Sequence, residues 1–235
     1  MGYVEGFIVA VPAANKALYK QFTEMVSPAF REHGATRMVE TWGDDVPEGE
    51  ITDFRRAVNA KEDEVVLFSW IEFPSRAERD VCNAFLMSEE NTSPMGDMPF
   101  DGQRMVLGGF ETIIDESVGG KPGYVDGSVV PVPVANKQAY IDVTRRLGKV
   151  LMEAGALRVV DAWGDDVPDG KVTDFRRAVK AKDDETVVFT WIEWASKAAR
   201  DAGWEKAIAD PRLHEESPFD DSRRINGGFV PLVDL

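Results

Sequence analysis

Two adjacent arginines, repeated once along the chain, are the residues best equipped for chemistry. Arg55 and Arg56 stand in TDFRRA, and Arg176 and Arg177 stand in the same six residues later on. Read as strand, this segment sends neighbouring side chains to opposite faces. One arginine of each pair then heads toward an interior or an interface. A planar guanidinium matches a carboxylate or a small anion through two parallel hydrogen bonds. Carboxylates are at hand in Asp44, Asp45, Asp53 and Glu72, and again in Asp165, Asp166, Asp174 and Glu193. An ion pair between repeats that fixes their register is the leading expectation, with recognition of a small anion as the sharper alternative.

A second set is aromatic. Val66, Phe68, Trp70 and Glu72 alternate along one face of a strand-like run, and Val187, Phe189, Trp191 and Glu193 repeat them without change. Filling a sheet-to-sheet core is the plain role for Phe68, Trp70, Phe189 and Trp191. The alternative makes them walls of two related cavities with Glu72 and Glu193 at the mouths. Trp42 and Trp163, each followed by GDDVP, complete the candidates for a ligand pocket or an inter-repeat surface.

Other arrangements carry less. DDVPDGKVTDFR places Asp165, Asp169 and Gly170 as in a calcium loop, but Val167 and Arg176 occupy two ligand positions, so a turn is expected and no metal. His33 and His214 share no repeated spacing and are read as helix-end or surface residues. Ser69, Thr190 and Cys82 lack a neighbouring base with its orienting group. Gly108-Gly109 and Gly227-Gly228 permit close backbone approach or a bend rather than phosphate binding. Tyr19 and Tyr140 suit either donation to a ligand or packing with an exposed hydroxyl.

The elements that position these residues come twice. At an offset of 121 residues, Tyr3 to Asp80 aligns without a gap on Tyr124 to Asp201, with 43 of 78 positions identical. Each copy reads β-α-β-β-α-β, a ferredoxin-like order. The first strand spans Tyr3–Val11 and Tyr124–Val132, ended by Pro12 and Pro133, with Asn15 and Asn136 as caps of the first helix. That helix presents Leu18, Phe22, Met25, Val26 and Phe30, or Tyr140, Val143, Leu147, Val150 and Leu151, and stops at Gly34 and Gly155. Short strands run from 36 to 42 and 157 to 163. Turn chemistry follows at Asp44, Asp45, Pro47 and Gly49 and at their counterparts. Extended structure resumes at 52–57 and 173–178. The strongest strands, 65–73 and 186–194, precede helices that Ser75 and Ser196 can cap and that start around Arg76 and Lys197. Similarity loosens after 80, and pairing resumes at Pro99/Pro218 and Gly108/Gly227 with an offset of 119. Final strands are expected at 105–114 and 225–233.

The expected organisation is repeat one over 1–114, a linker over 115–123 and repeat two over 124–235. The fold class is α+β, with two repeats placing their bare sheet faces together as an intrachain pseudo-dimeric barrel. Pairing of each repeat with a second chain stays open, as does higher oligomerisation.

The chain has 235 residues and a formal net charge of −15, from 42 acidic and 27 basic residues. That field opposes nucleic acid and anionic membranes, so neither is an expected partner. Cys82 is the only cysteine, placed in a helix as a structural thiol, and no disulfide within the chain follows. The N-terminus enters a patterned strand without a basic region, so no signal peptide and a cytoplasmic setting are expected.

YVDGSVVPVPVANK, WGDDVPDGKVTDFRRAVKAKDDETVVFTWIEW, PFD and the later GGF resemble the DUF1428 family of bacterial domains. The resemblance covers the chain twice and implies a fold similar to the dimeric α+β barrel superfamily. Two such domains in one polypeptide imply that it supplies both halves of a dimer. Related barrels include small monooxygenases, haem-degrading enzymes, ligand sensors and structural proteins. The leading functional expectation is a noncatalytic small-ligand-binding or stress-related barrel, with no cofactor and a small molecule as partner. The alternatives are a cofactor-light monooxygenase-like oxidoreductase and a structural or interaction module.

Overall fold

The computed structural model describes residues 2–88, 98–214 and 217–235. Repeat one contains β1 (Tyr3–Pro12), α1 (Lys16–Glu32), β2 (Arg37–Asp45), α2 (Phe54–Ala57), β3 (Glu64–Phe73), α3 (Arg76–Leu86) and β4 (Val106–Ser117). Repeat two contains β5 (Tyr124–Pro133), α4 (Lys137–Ala154), β6 (Arg158–Asp166), α5 (Phe175–Ala178), β7 (Glu185–Trp194), α6 (Lys197–Ile208) and β8 (Ile225–Asp234). The strands close a barrel in the order β1-β3-β2-β8-β5-β7-β6-β4, with every pairing antiparallel. The α+β pseudo-dimer expected from the duplication is present. The two sheets also join at both edges, β2 to β8 and β4 to β6, which leaves no strand edge open.

The unchanged face of β3 and β7 points into the barrel. Phe68 and Phe189 stack at 4.2 Å and 4°, and Trp70 meets Trp191 at 4.5 Å. All four are buried to within 1% exposure, so the sheet-to-sheet core reading of these rings describes their position. Gly6 and Gly127 make room for the stack: a Cβ at Gly6 would press on Phe189, and one at Gly127 on Phe68. Each repeat thus clears space on its first strand for a ring of the other.

The stretches 52–57 and 173–178 do not form strands: after an extended Asp53 or Asp174 the chain turns helical. Asp53 and Asp174 cap one-turn helices by accepting from the backbone amides of Arg56 and Arg177, each at 2.8 Å. Phe54, Ala57 and Val58 lie at helical spacing and all enter the core. Phe54 sits edge-on to Phe68 at 5.8 Å, and Phe175 to Phe110 at 5.1 Å, so α2 and α5 plug one end of the barrel. Thr52 donates to the Ala178 carbonyl at 2.7 Å and Thr173 to that of Ala57 at 2.5 Å, clasping the two excursions together.

Four other expectations change. Asp44 and Asp45 extend β2, paired as far as Gly228 of β8, rather than opening a turn. Asn15 and Asn136 sit in short 3-10 turns, away from the extended backbone of a cap. Their amides reach forward to the carbonyls of Pro99 and Pro218 at 2.9 and 2.7 Å. On α1 the buried positions are Tyr19, Thr23 and Ser27, while Leu18 and Met25 are exposed. A carboxylate beneath the helix, Glu40, favours a polar inner face there. β4 also continues through Ser117, so the stretch read as a linker begins as paired strand.

Candidate functional site

The repeated arginines of TDFRRA serve the backbone. Arg55 donates to the carbonyls of Glu64 and Lys61 at 2.9 and 2.6 Å, and Arg176 makes the same pair of bonds to Glu185 and Lys182. Arg56 and Arg177 reach Gly49 and Gly170 and their own caps, Asp53 and Asp174. The expected inter-repeat role falls to Arg37 and Arg158 instead, because the helical turn aims the TDFRRA arginines away from the seam. Arg37 grips Glu193 at 2.6 and 3.2 Å and Asp234 at 2.8 and 2.9 Å. Arg158 grips Glu72 at 2.8 and 2.9 Å and Asp115 at 2.8 Å twice. Glu72 and Glu193 also accept the indole N–H of Trp70 and Trp191, at 3.0 and 3.1 Å. The barrel end where cavity mouths were envisaged is therefore closed by cross-repeat ion pairs. Trp42 and Trp163 face outward, each under a lysine (Lys16 at 4.9 Å, Lys137 at 5.1 Å).

Space for a small molecule lies outside the barrel, between the sheet of repeat two and its helices α4 and α6. A chamber of about 290 Å³ is lined by Tyr140, Leu147, Gly148 and Leu151 of α4 and by Arg200 and Trp204 of α6. Asp126, Ser128, Val159, Asp161, Thr190 and Ile192 face it from the strands, joined by Asp45 of repeat one. Asp161 is fully enclosed, and the Tyr140 hydroxyl donates to it at 2.7 Å. Burial pushes its carboxyl above the usual range, partly offset by the bond from Tyr140. Asp126 is likewise raised by burial. It accepts the indole N–H groups of Trp194 and Trp204 at 2.9 and 2.7 Å and lies 3.1 Å from Arg200. Arg200 reaches Asp45 across the seam at 2.9 Å, and Asp44 takes Lys197 at 2.5 Å and the Tyr124 hydroxyl at 3.0 Å. The WGDD strand of one repeat thus closes the chamber of the other. Gly228 is needed here because a Cβ would run into the Tyr124 hydroxyl and Arg200, which is the close approach expected of the GGF segment.

Repeat one keeps the same polar skeleton but carries bulkier apolar side chains at the matching positions. Tyr19 donates to Glu40 at 2.8 Å, and Arg79 joins Glu5 and Asp166. The volume corresponding to the chamber holds Phe30, Met105 and Leu107, packed with Phe7, Met38 and Ile71. Where repeat one has Phe73 beside Cys82, repeat two has Trp194 beside Gly203, whose missing Cβ admits the indole. Cys82 is buried, and burial pushes its thiol up to about 11, in keeping with a structural thiol. His33 stacks on Phe85 at 3.5 Å at the end of α1.

Burial raises the Glu40 carboxyl from 4.5 to about 7. A carboxyl raised on folding keeps its proton in the folded chain while the unfolded chain has lost it. Its contribution is therefore best below about pH 4.5 and declines as pH rises toward 7. Glu40→Gln should flatten that part of the pH–stability curve and stabilise the protein above pH 7 by about 2–3 kcal/mol. Urea titrations across the range measure it, and an unaltered slope would refute the assignment.

The missed residues left a trace in the sequence. Acids stand on otherwise buried strand faces at Glu5/Asp126 and Glu40/Asp161, and Arg37/Arg158 and Arg79/Arg200 are kept at the 121-residue offset. Among the described residues, no three or more His, Cys, Asp or Glu side chains converge on a metal position.

Fold and chamber together define an eight-stranded α+β barrel of two fused ferredoxin-like halves, with a candidate site between sheet and helices. Similar barrels occur in a putative monooxygenase from Fusobacterium nucleatum (9% identity, TM-score 0.60, covering 99% of this chain and 93% of that one). A putative monooxygenase from Lactobacillus acidophilus is alike at 9% identity and TM-score 0.57, over 99% and 95% of the two chains. An anthrone oxidase-like protein follows at 13% and 0.55, over 100% and 92%. At these identities the likeness is one of fold. The chain belongs to the DUF1428 family, described as a protein of unknown function, whose model matches residues 2–102 and again 123–221. The uncharacterized protein YbaA of Escherichia coli K12 is 54% identical over 117 residues, all of that protein and 49% of this chain. Its Shigella flexneri counterpart matches equally. No helix among the described residues is long and apolar enough to cross a membrane.

Proposed function

We propose that this protein is an oxidoreductase of the monooxygenase-like kind, working on a small organic molecule held in the repeat-two chamber. The observation that carries this reading is the enclosed Asp161–Tyr140 pair at the wall of a cavity of about 290 Å³. A carboxyl raised above its ordinary range is a stronger base, able to take a proton from an enolisable or phenolic substrate and return it, which primes such a molecule for oxidation. Tyr140 holds the carboxyl in place, while Leu147, Leu151, Val159 and Ile192 exclude water around an apolar body. The fold shared with putative monooxygenases supports the oxidative reading over the noncatalytic barrel, and the filled interior favours the outer chamber as the working site. A cytoplasmic setting belongs to this reading, supported by the acidic surface and the single enclosed thiol.

The test is oxygen uptake and product formation with a panel of enolisable and phenolic compounds, alongside ligand-induced thermal stabilisation. Asp161→Asn should lower turnover by about a hundredfold while retaining stabilisation by the same compounds. Stabilisation without turnover by any compound would return the noncatalytic binding barrel in its place.

A further inference from the structure

One wall of the chamber differs from its repeat-one counterpart in a concerted way. Ser128 of β5 and Asn226 of β8 are register partners, and Arg224 stands two residues before Asn226, next to the start of the same strand. The equivalent positions in repeat one are Phe7, Leu107 and Met105, where Phe7 and Leu107 are likewise paired. Three apolar residues of a packed cluster are thus matched by a hydroxyl, an amide and a guanidinium on the wall of an open chamber. Arg224 and Asn226 are exposed and Ser128 is half-buried, and the three share one patch of the chamber lining.

The remaining charges of the chamber are already engaged. Asp126 is held by Arg200, Trp194 and Trp204, and Asp161 by Tyr140. Asp45 is held by Arg200. Among the described residues the Arg224 side chain makes one ion pair, from Nε to the exposed Asp221 at 3.2 Å, which leaves the other edge of its guanidinium for a second carboxylate. Among the described residues, neither Ser128 nor Asn226 has a side-chain hydrogen-bond partner. The apolar part of the lining comes from Leu147 and Leu151 of α4, Trp204 of α6, and Val159 and Ile192 of the sheet.

We propose that Ser128, Arg224 and Asn226 make the chamber selective for a small organic carboxylate, its acid group on Arg224 and its apolar body against α4 and α6. The proposal rests on the chamber being the working site and adds the class of molecule it takes. Arg224 acts as the specificity-determining residue, and its charge is what repeat one lacks.

Calorimetric titration of the full chain with phenylacetate and benzoate against phenylacetamide and benzamide tests it. The acids should bind about tenfold more tightly than their amides, as one charge-assisted pair allows. Arg224→Met, which installs the repeat-one residue, should erase that preference, Arg224→Lys should keep most of it, and Asn226→Leu should weaken the acids. Thermal melts confirm that each variant is folded. Gly148→Leu, which fills the cavity from α4, should abolish binding of acids and amides alike. Equal affinity of acids and amides, a preference that survives Arg224→Met, or no binding of either class would overturn the proposal. Binding untouched by Gly148→Leu would overturn the chamber itself, whereas binding abolished by Gly148→Leu together with a preference that survives Arg224→Met would overturn this proposal and leave the chamber standing.

Discussion

Trp70→Ala and Trp191→Ala should each lower the unfolding free energy by about 3–5 kcal/mol, the usual cost of emptying a large buried aromatic site. Both side chains are within 1% of full burial and meet at 4.5 Å, and closed walls on every side limit how far the barrel can relax into the void. Because the two rings touch, the double variant should lose less than the sum of the single losses. Removing either indole also deprives Glu72 or Glu193 of an N–H donor, but each carboxylate keeps its arginine. Urea titration gives the values. Near-wild-type stability for both single variants would contradict the packed interior, and strict additivity would contradict the contact between the rings.

Glu185→Ala is the second large effect, at about 3 kcal/mol or more. Arg223 meets both oxygens of Glu185 at 2.7 and 2.6 Å, with side chains only 7% and 2% exposed. Loss of the carboxylate strands an enclosed guanidinium, which keeps only Asp220 and the Lys180 carbonyl; this is the costly way to break a buried pair. Exchanging both partners for methionine should cost much less, since no charge is then left without its counterpart. Arg223 holds the Glu185 carboxyl below its usual range, so the pair contributes above the ordinary carboxylate pKa and is lost as pH falls through its lowered value. The wild type should therefore lose an acid-side increment that Glu185→Ala no longer has. Equal stability of wild type and Glu185→Ala at neutral pH would remove the pair from the account.

Both effects concern features that the sequence disclosed to different degrees. The alternation of Val66, Phe68, Trp70 and Glu72, kept in both copies, was enough to place the rings inside, because period-two patterning and burial are the same signal. The Arg223–Glu185 and Arg37–Glu193 pairs were not legible, since each joins residues far apart in the chain whose meeting depends on how strands cross the seam. TDFRRA was misread for a local reason. Three apolar positions at helical spacing behind an aspartate cap fit a single helical turn, yet a four-residue helix is too short to stand out from strand-like surroundings. The chamber was missed because attention to what the copies share favours the barrel interior. Its marks are differences: Gly203 for Cys82, Asn226 for Leu107 and Arg224 for Met105.

The seams β2–β8 and β4–β6 have one more consequence. In an assembly of two identical chains, such seams would form by collision, and dilution would open them. Here the partners are tethered through residues 118–123, a span so short that each half meets the other at an effective concentration no cell reaches with free subunits. The unfolding midpoint of this barrel should therefore not depend on how much protein is present. The enclosure of the chamber by Asp45 persists for the same reason, down to a single molecule.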